Sequence, residues 1–273
     1  MNALLKYPGG KWRISQRIIE YFPPHKVYLE PFFGSGAVFF RKAPSYLETI
    51  NDIDGNVVNL FRVIRERTED LARLIELTPF SREEFMEVQE DHAGEGFKRT
   101  GDDLEDARRF IVRCNQAFGT KLSDRVGWKS STSYAGPNCP QIWGQLPDTI
   151  REAAQRLKLA QIEKMDAVEL IRRYNHEECL IYVDPPYIKD ARPTRMYLHE
   201  MQDASAHVRL LETLLAHRGK FVISGYDNKL YDEYLQGCRK VEIKTYVNSG
   251  RASSEYLWMN FDGDITMLDE VTL

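Results

Sequence analysis

Leu180-Ile181-Tyr182-Val183-Asp184-Pro185-Pro186-Tyr187 is an apolar run that stops at an acid, two prolines and an aromatic ring. A continuous apolar stretch bounded by proline is how a central strand of a parallel sheet ends, because such a strand is buried on both faces. Open α/β sheets place their chemistry beyond the carboxyl ends of these strands. Pro185 and Pro186 fix two φ angles and remove two N–H donors, so the backbone beside Asp184 is stiff. A carboxylate and a carbonyl held in fixed directions suit a planar ligand bearing an amino group. They accept its two N–H bonds, and Tyr187 covers its face. A strand followed by a proline turn with a capping Asp is the plainer reading of the same residues.

Working upstream, Val27-Tyr28-Leu29-Glu30 reads as a second strand. Pro31-Phe32-Phe33-Gly34-Ser35-Gly36 reads as a glycine turn leading into a helix from about Ala37. Strand, Gly-rich turn and helix form the first half of a nucleotide-binding βαβ unit. Phe39 stands where G-x-G-x-x-G has its third glycine. That argues against a dinucleotide pyrophosphate, and so against a nicotinamide-dependent dehydrogenase. Glu30 at the strand end would repel a phosphate and attract an ammonium group. Glu30, Phe33, Gly34 and Gly36 are therefore candidates for contact with a nucleotide-like ligand that has a cationic end. The strand Glu48-Thr49-Ile50-Asn51 follows, and Asp52, 18 residues after Gly34, falls where α/β sites bind ribose hydroxyls. Asp54 is placed to cap a helix over about 56–67, with Val57, Leu60, Phe61 and Ile64 on one face. Ahead of all this, Lys6-Tyr7-Pro8-Gly9-Gly10-Lys11 makes a tight turn that offers a stacking ring and two charges. A short helix over about 12–21 comes next.

From about 57 to 158 the alternation of strand and helix lapses, and the pattern predicts helices near 69–77, 81–90, 102–117 and 147–158. This reads as a mainly helical insert between two halves of a sheet, with 1–56 and 159–273 as the core domain. Between Lys98 and Lys129 there are eight basic residues against five acids, and the acids gather at the start of the 102–117 helix. The stretch 118–134 reads as a hairpin or loop carrying Lys121, Arg125, Trp128 and Lys129, residue types that contact phosphates and base edges. A solvated charged loop is the alternative. After Leu159–Glu163 as a strand, Asp166 is a candidate helix cap, and it also sits where an adenine amino group could be read. Beyond Tyr187, residues 188–197 are polar and basic, with Arg192 and Arg195, and read as a lid. A helix near 203–217, a strand 220–225, a helix from 228 and two strands, 240–247 and 255–261, close the chain. A polar tip at 248–254 joins the last two.

The chain has 273 residues and a formal net charge of -4, so any DNA-binding charge must be concentrated on one face. The four cysteines form no C-x-x-C pair, so neither a zinc site nor a disulfide framework is indicated. No apolar run approaches membrane-spanning length, and a soluble cytoplasmic monomer is expected.

Lys6–Lys11, Glu30–Gly36, Asn51-Asp52-Ile53 and Asp184–Tyr187, in that order, resemble the Dam-type (D12 class) DNA adenine-N6 methyltransferases, and the likeness covers nearly the whole chain. The resemblance implies an S-adenosylmethionine-dependent methyltransferase fold: α/β, a Rossmann-like mixed sheet with an inserted helical DNA-recognition domain. It implies methyl transfer from S-adenosylmethionine to adenine N6 in duplex DNA, with the base flipped out of the helix. Tyr7, Lys11, Asp52 and Asp184 then look like cofactor contacts, Asp166 like the residue that reads its adenine, and Asp184, Pro185, Pro186 and Tyr187 like the catalytic tetrad. No metal is implied. A cognate restriction endonuclease, as in restriction-modification, is a partner the resemblance leaves open. Residues 115–134 depart from the recognition hairpin of the GATC-specific members, so the target sequence stays open. An RNA or protein-glutamine methyltransferase, or a catalytically dead DNA-binding relative, are the competing readings.

Overall fold

A computed structural model describes residues 1–90, 99–134, 136, 138–188, 196–197, 199–201, 203–246 and 252–262. Seven strands form one sheet in the order β3-β2-β1-β4-β5-β7-β6. The strands are β1 (Val27–Glu30), β2 (Leu47–Asn51), β3 (Ala160–Glu163), β4 (Cys179–Val183), β5 (Lys220–Gly225), β6 (Arg239–Tyr246) and β7 (Ala252–Met259). The first five run parallel, whereas β7 is antiparallel to both β5 and β6. The order reverses between β1 and β4, so the crevice at their carboxyl ends is the topological switch point where open α/β sheets bind ligands.

Every residue of β1 and β4 is buried. Alternation along the strands divides the core in two. Tyr28, Ile50, Leu180, Tyr182, Val222, Leu257 and Met259 face one layer of helices. That layer contains α2 (Gly55–Glu66), α3 (Thr68–Leu77), α4 (Arg82–Glu90), α5 (Asp103–Gln116) and α7 (Leu146–Leu157). Val27, Leu29, Ile181, Val183, Phe221 and Ile223 face the other, built from α8 (Ala167–Arg173), α9 (Ala204–Leu215) and α10 (Lys229–Tyr234). Two short helices, α1 (Ser15–Ile19) and α6 (Cys139–Gly144), complete the set; no expectation covered α6. The helices between 55 and 157 share one continuous apolar cluster with the sheet. Among the described residues no helix is long and apolar enough to cross a membrane.

One expected element is absent. Where a helix was read from about Ala37, the chain makes only isolated turns, with Phe40 N–H to Gly36 O at 3.0 Å and Lys42 N–H to Val38 O at 3.0 Å. The cause is packing. Phe39 packs edge-to-face on both Phe33 and Phe40, Phe33 packs edge-to-face on Phe61 of α2, and Pro44 follows too soon for the turns to propagate.

Candidate active site

Four polar residues of the sheet collect at one edge of one face. Three follow a core residue by two positions and so point the same way: Glu30 after Tyr28, Asp184 after Tyr182, Ser224 after Val222. Glu255, two before Leu257 on the antiparallel β7, joins them from the opposite direction. Beside this edge lies a cavity of about 670 Å³, and Glu30, Phe33, Gly34, Asp52, Asp166, Tyr7, Lys11 and Asp184 all line it. Asp184 therefore faces the same space as the Glu30–Gly34 turn.

Lys11 is the hub. Its ammonium donates to Asp184 Oδ1 at 2.8 Å and Oδ2 at 2.9 Å, to the Tyr187 hydroxyl at 2.6 Å and to Gly9 O at 3.0 Å. Burial alone would lower the lysine pKa, but the Asp184 and Glu255 carboxylates outweigh it and hold the ammonium charged. Asp184 Oδ1 also accepts from Ser224 Oγ at 3.0 Å, and Tyr182 OH lies 3.1 Å from the same hydroxyl. Tyr187 is buried, with its hydroxyl donating to Glu255 Oε1 at 2.5 Å and its ring edge-on to Tyr226 at 4.6 Å. Pro185 is buried next to it.

Of the acids on the other wall, Glu30 is buried and Asp52 half-buried. Glu30 accepts from the Tyr28 hydroxyl at 2.7 Å. Burial pushes its carboxyl up to about 8; the Tyr28 bond pulls it back, and the charge of Asp184 adds to the rise. Asp52 accepts from Gly34 N–H at 2.8 Å and Asp54 N–H at 2.9 Å, yet burial, with the charge of Asp54, pushes it up to about 7. Asn51 ties the three strand ends together, donating to Pro31 O at 2.9 Å and Met165 O at 3.1 Å. Gly34 has φ +49°, and a Cβ there would come to 3.1 Å from the Tyr7 ring. Gly36, φ +65°, is demanded by packing: a Cβ would fall 2.4 Å from the Phe33 ring. Phe33 itself is locked among Phe39, Phe40 and Phe61. Asp166 caps α8, accepting from Glu169 N–H at 3.1 Å, and both its oxygens also accept from Arg209 at 2.9 and 2.8 Å.

Residues 116–129 form a small hairpin, with Phe118 N–H to Gly127 O at 2.7 Å and Lys129 N–H to Gln116 O at 2.8 Å. Arg125 is exposed at its tip, whereas Lys121 pairs with Asp124. Trp128 is occupied by packing: its ring sits 5.4 Å from Phe80 and 4.9 Å beneath the Arg82 guanidinium, and its N–H goes to Gln116. Lys129 neighbours Lys6, whose pKa is lowered by burial and then by that second cation. The hairpin is tied towards the cavity: Leu122 N–H donates to Met196 O at 2.9 Å, and the Tyr197 hydroxyl to Pro8 O at 3.1 Å. Arg192, Arg195 and most of the expected lid lie outside the described residues.

Sequence reading missed Glu255, Ser224, Tyr197 and Arg209. A signal existed for two of them. Both Ser224 and Glu255 are polar residues on the apolar side of a strand alternation, and an acid at such a position needs a partner.

The chain matches the family described as D12 class N6 adenine-specific DNA methyltransferase across residues 7–248. It belongs to that family. A type II methyltransferase of Lactococcus lactis subsp. cremoris, M1.LlaDCHI, is 26% identical over 93% of this chain and 92% of its own length. The DNA adenine methylase of Salmonella typhi is 32% identical over 86% of this chain and 84% of its own. M.MjaIII, a type II methyltransferase of Methanocaldococcus jannaschii, is 27% identical over 68% and 69%. This D12 methyltransferase is thus an enzyme of site-specific DNA adenine methylation, and its fold is the mixed α/β sheet that the sequence implied.

Proposed function

We propose that this D12 methyltransferase uses S-adenosylmethionine as methyl donor and acts on an adenine rotated out of duplex DNA. One observation carries the reading: Asp184 and Glu30, at the ends of adjacent strands across the switch point, face one cavity floored by the Gly34 turn and Asp52. The wall fits this donor. Six carboxyl groups, of Glu30, Asp52, Asp54, Asp166, Asp184 and Glu200, line the cavity, and a donor with ammonium and sulfonium charges would draw the raised acids Glu30 and Asp52 into their ionised, opposite-sign form. Glu30 would receive the ammonium, Asp52 the ribose hydroxyls and Asp166, together with Arg209, the adenine edge. When bound, the donor supplies an electrophilic methyl group.

The protein's own part is positioning. An adenine N6 stacked in the duplex cannot reach this cavity, so the base must be extruded, at a cost of a few kcal/mol. Asp184 and the Pro185 carbonyl would accept hydrogen bonds from the two N6–H groups and draw the nitrogen lone pair out of the ring. That lone pair would attack the donor's methyl carbon in line while the methyl–sulfur bond breaks and its electron pair stays on sulfur as a neutral thioether, with no covalent enzyme intermediate. The proton leaves N6 once the new bond has formed, with Asp184 nearest to receive it. The hairpin 116–129, carrying Arg125, Lys121 and Lys129 next to Lys6, would lie against the phosphates, and the helices of 57–158 would act as the target-recognition unit.

Duplex DNA, RNA and protein offered as acceptors to the purified enzyme with methyl-labelled S-adenosylmethionine test the reading. Label appears as N6-methyladenine in duplex DNA alone. Label in RNA or in glutamine overturns it.

A further inference from the structure

Glu255 takes no part in the transfer described above, yet it is one of the most deeply held acids in the protein. It stands at a core position of β7, 5% exposed, on the side of Leu257 and Met259. Its carboxylate accepts from the Tyr187 hydroxyl at 2.5 Å and lies 3.5 Å from the Lys11 ammonium. Lys11 in turn contacts both oxygens of Asp184 and the Tyr187 oxygen. One buried ammonium is therefore shared by two carboxylates, and the tyrosine bridges it to the second.

The sharing matters because of the charge it leaves over. Lys11 with Asp184 alone would be a closed neutral pair, with the carboxylate's acceptor strength directed at its own counter-ion. Burial raises the Glu255 pKa and the Lys11 charge opposes that rise; with both acids ionised around one ammonium, the trio carries one net negative charge. Solvation favours placing that charge on Asp184, whose side chain is 20% exposed on the cavity side, over Glu255, whose side chain is 7% exposed. Of the Asp184 oxygens, Oδ1 already accepts from Lys11 and Ser224, and Oδ2 from Lys11. A ligand N–H must compete with the ammonium there, and it competes better when the ammonium is also drawn to Glu255.

We propose that Glu255 is a positioning residue for methyl transfer: it anchors Tyr187 and draws on Lys11, so that Asp184 retains the acceptor strength to hold the N6 protons. The inference rests on the assignment of Asp184 as N6 acceptor, and the test separates the two.

Glu255→Gln is neutral, of equal size, and keeps an acceptor for the tyrosine hydroxyl. Its single-turnover rate should fall about 10- to 100-fold, the scale of a lost electrostatic contact in a dry site. Dissociation constants for S-adenosylmethionine and for duplex DNA should stay within about threefold of wild type, since the loss lies in the transfer step. Glu255→Asp should recover part of the rate over the Gln variant. Asp184→Asn, run alongside, should abolish transfer. A wild-type rate in Glu255→Gln with Asp184→Asn dead overturns the role of Glu255 alone. So does a rate loss matched by an equal loss of donor binding or of folded protein in both Glu255 variants. An active Asp184→Asn overturns the N6-acceptor assignment on which the inference stands.

Discussion

Glu30 and Asp52 are acids that the fold keeps partly protonated near neutral pH, pushed up to about 8 and about 7 mainly by burial. Their folded values lie above the unfolded ones, so the native state binds more protons between the two. Stability must fall as pH rises from about 4.5 through 8 for Glu30, and from about 4 through 7 for Asp52. Glu30→Gln removes the first penalty. Its melting temperature should match wild type near pH 5 and exceed it at pH 9, by an amount corresponding to a few kcal/mol. Equal pH dependence in the two proteins would contradict this. Gly36→Ala forces a Cβ into the Phe33 ring at a φ of +65° and should cost about 2–4 kcal/mol, read as a lowered denaturant midpoint. At this scale the acids at strand ends and the Lys11 turn were legible, because each stands next to a strand–turn break. Glu255 shows in the sequence only as an acid on the apolar side of a strand, and neither its partner nor that of Tyr197 is legible, because Tyr187 and Pro8 lie 68 and 189 residues away.

Most strands and helices were legible to within a residue or two, since alternation and a 3.6 period mark them directly; β7 starts three residues before the expected 255, its first residues being small or polar. The turn after Gly36 was not, because a phenylalanine cluster overrode a sequence that looks like a helix start. The sequence marks 118–134 only as a hairpin or loop, whereas the hairpin spans 116–129, and what shapes it is distant. Arg113, 1% exposed in the last turn of α5, donates to Lys121 O at 2.9 Å and Asp124 O at 2.7 Å. Among the described residues its Nε and one Nη have no hydrogen-bond partner. This buried cation spends its bonds on the loop. Arg113→Met should loosen the tip that carries Lys121 and Arg125 and weaken duplex DNA binding by about tenfold or more, since each bond to a charged donor is worth roughly 1.5–3 kcal/mol. Donor affinity should not change. A fluorescence-anisotropy titration showing unchanged DNA affinity would count against the clamp.

For the whole molecule, the apolar cluster that joins residues 57–157 to the sheet makes independent folding of the helical segment unfavourable. Urea unfolding followed by tryptophan fluorescence and by circular dichroism should give one coincident transition, and an excised 57–158 fragment should stay unfolded. Two separated transitions would make the helical segment a domain of its own. The strand order places the Asp184 corner opposite the Glu30 turn, and chemistry at that junction is the central claim. Purified wild-type protein and Asp184→Ala, each shown by calorimetry to bind S-adenosylmethionine, should be compared in a single-turnover assay on adenine-containing duplex DNA. The account predicts N6-methyladenine from the wild type and none from the variant, with donor binding preserved in both. Methylation by Asp184→Ala at near the wild-type rate would contradict it.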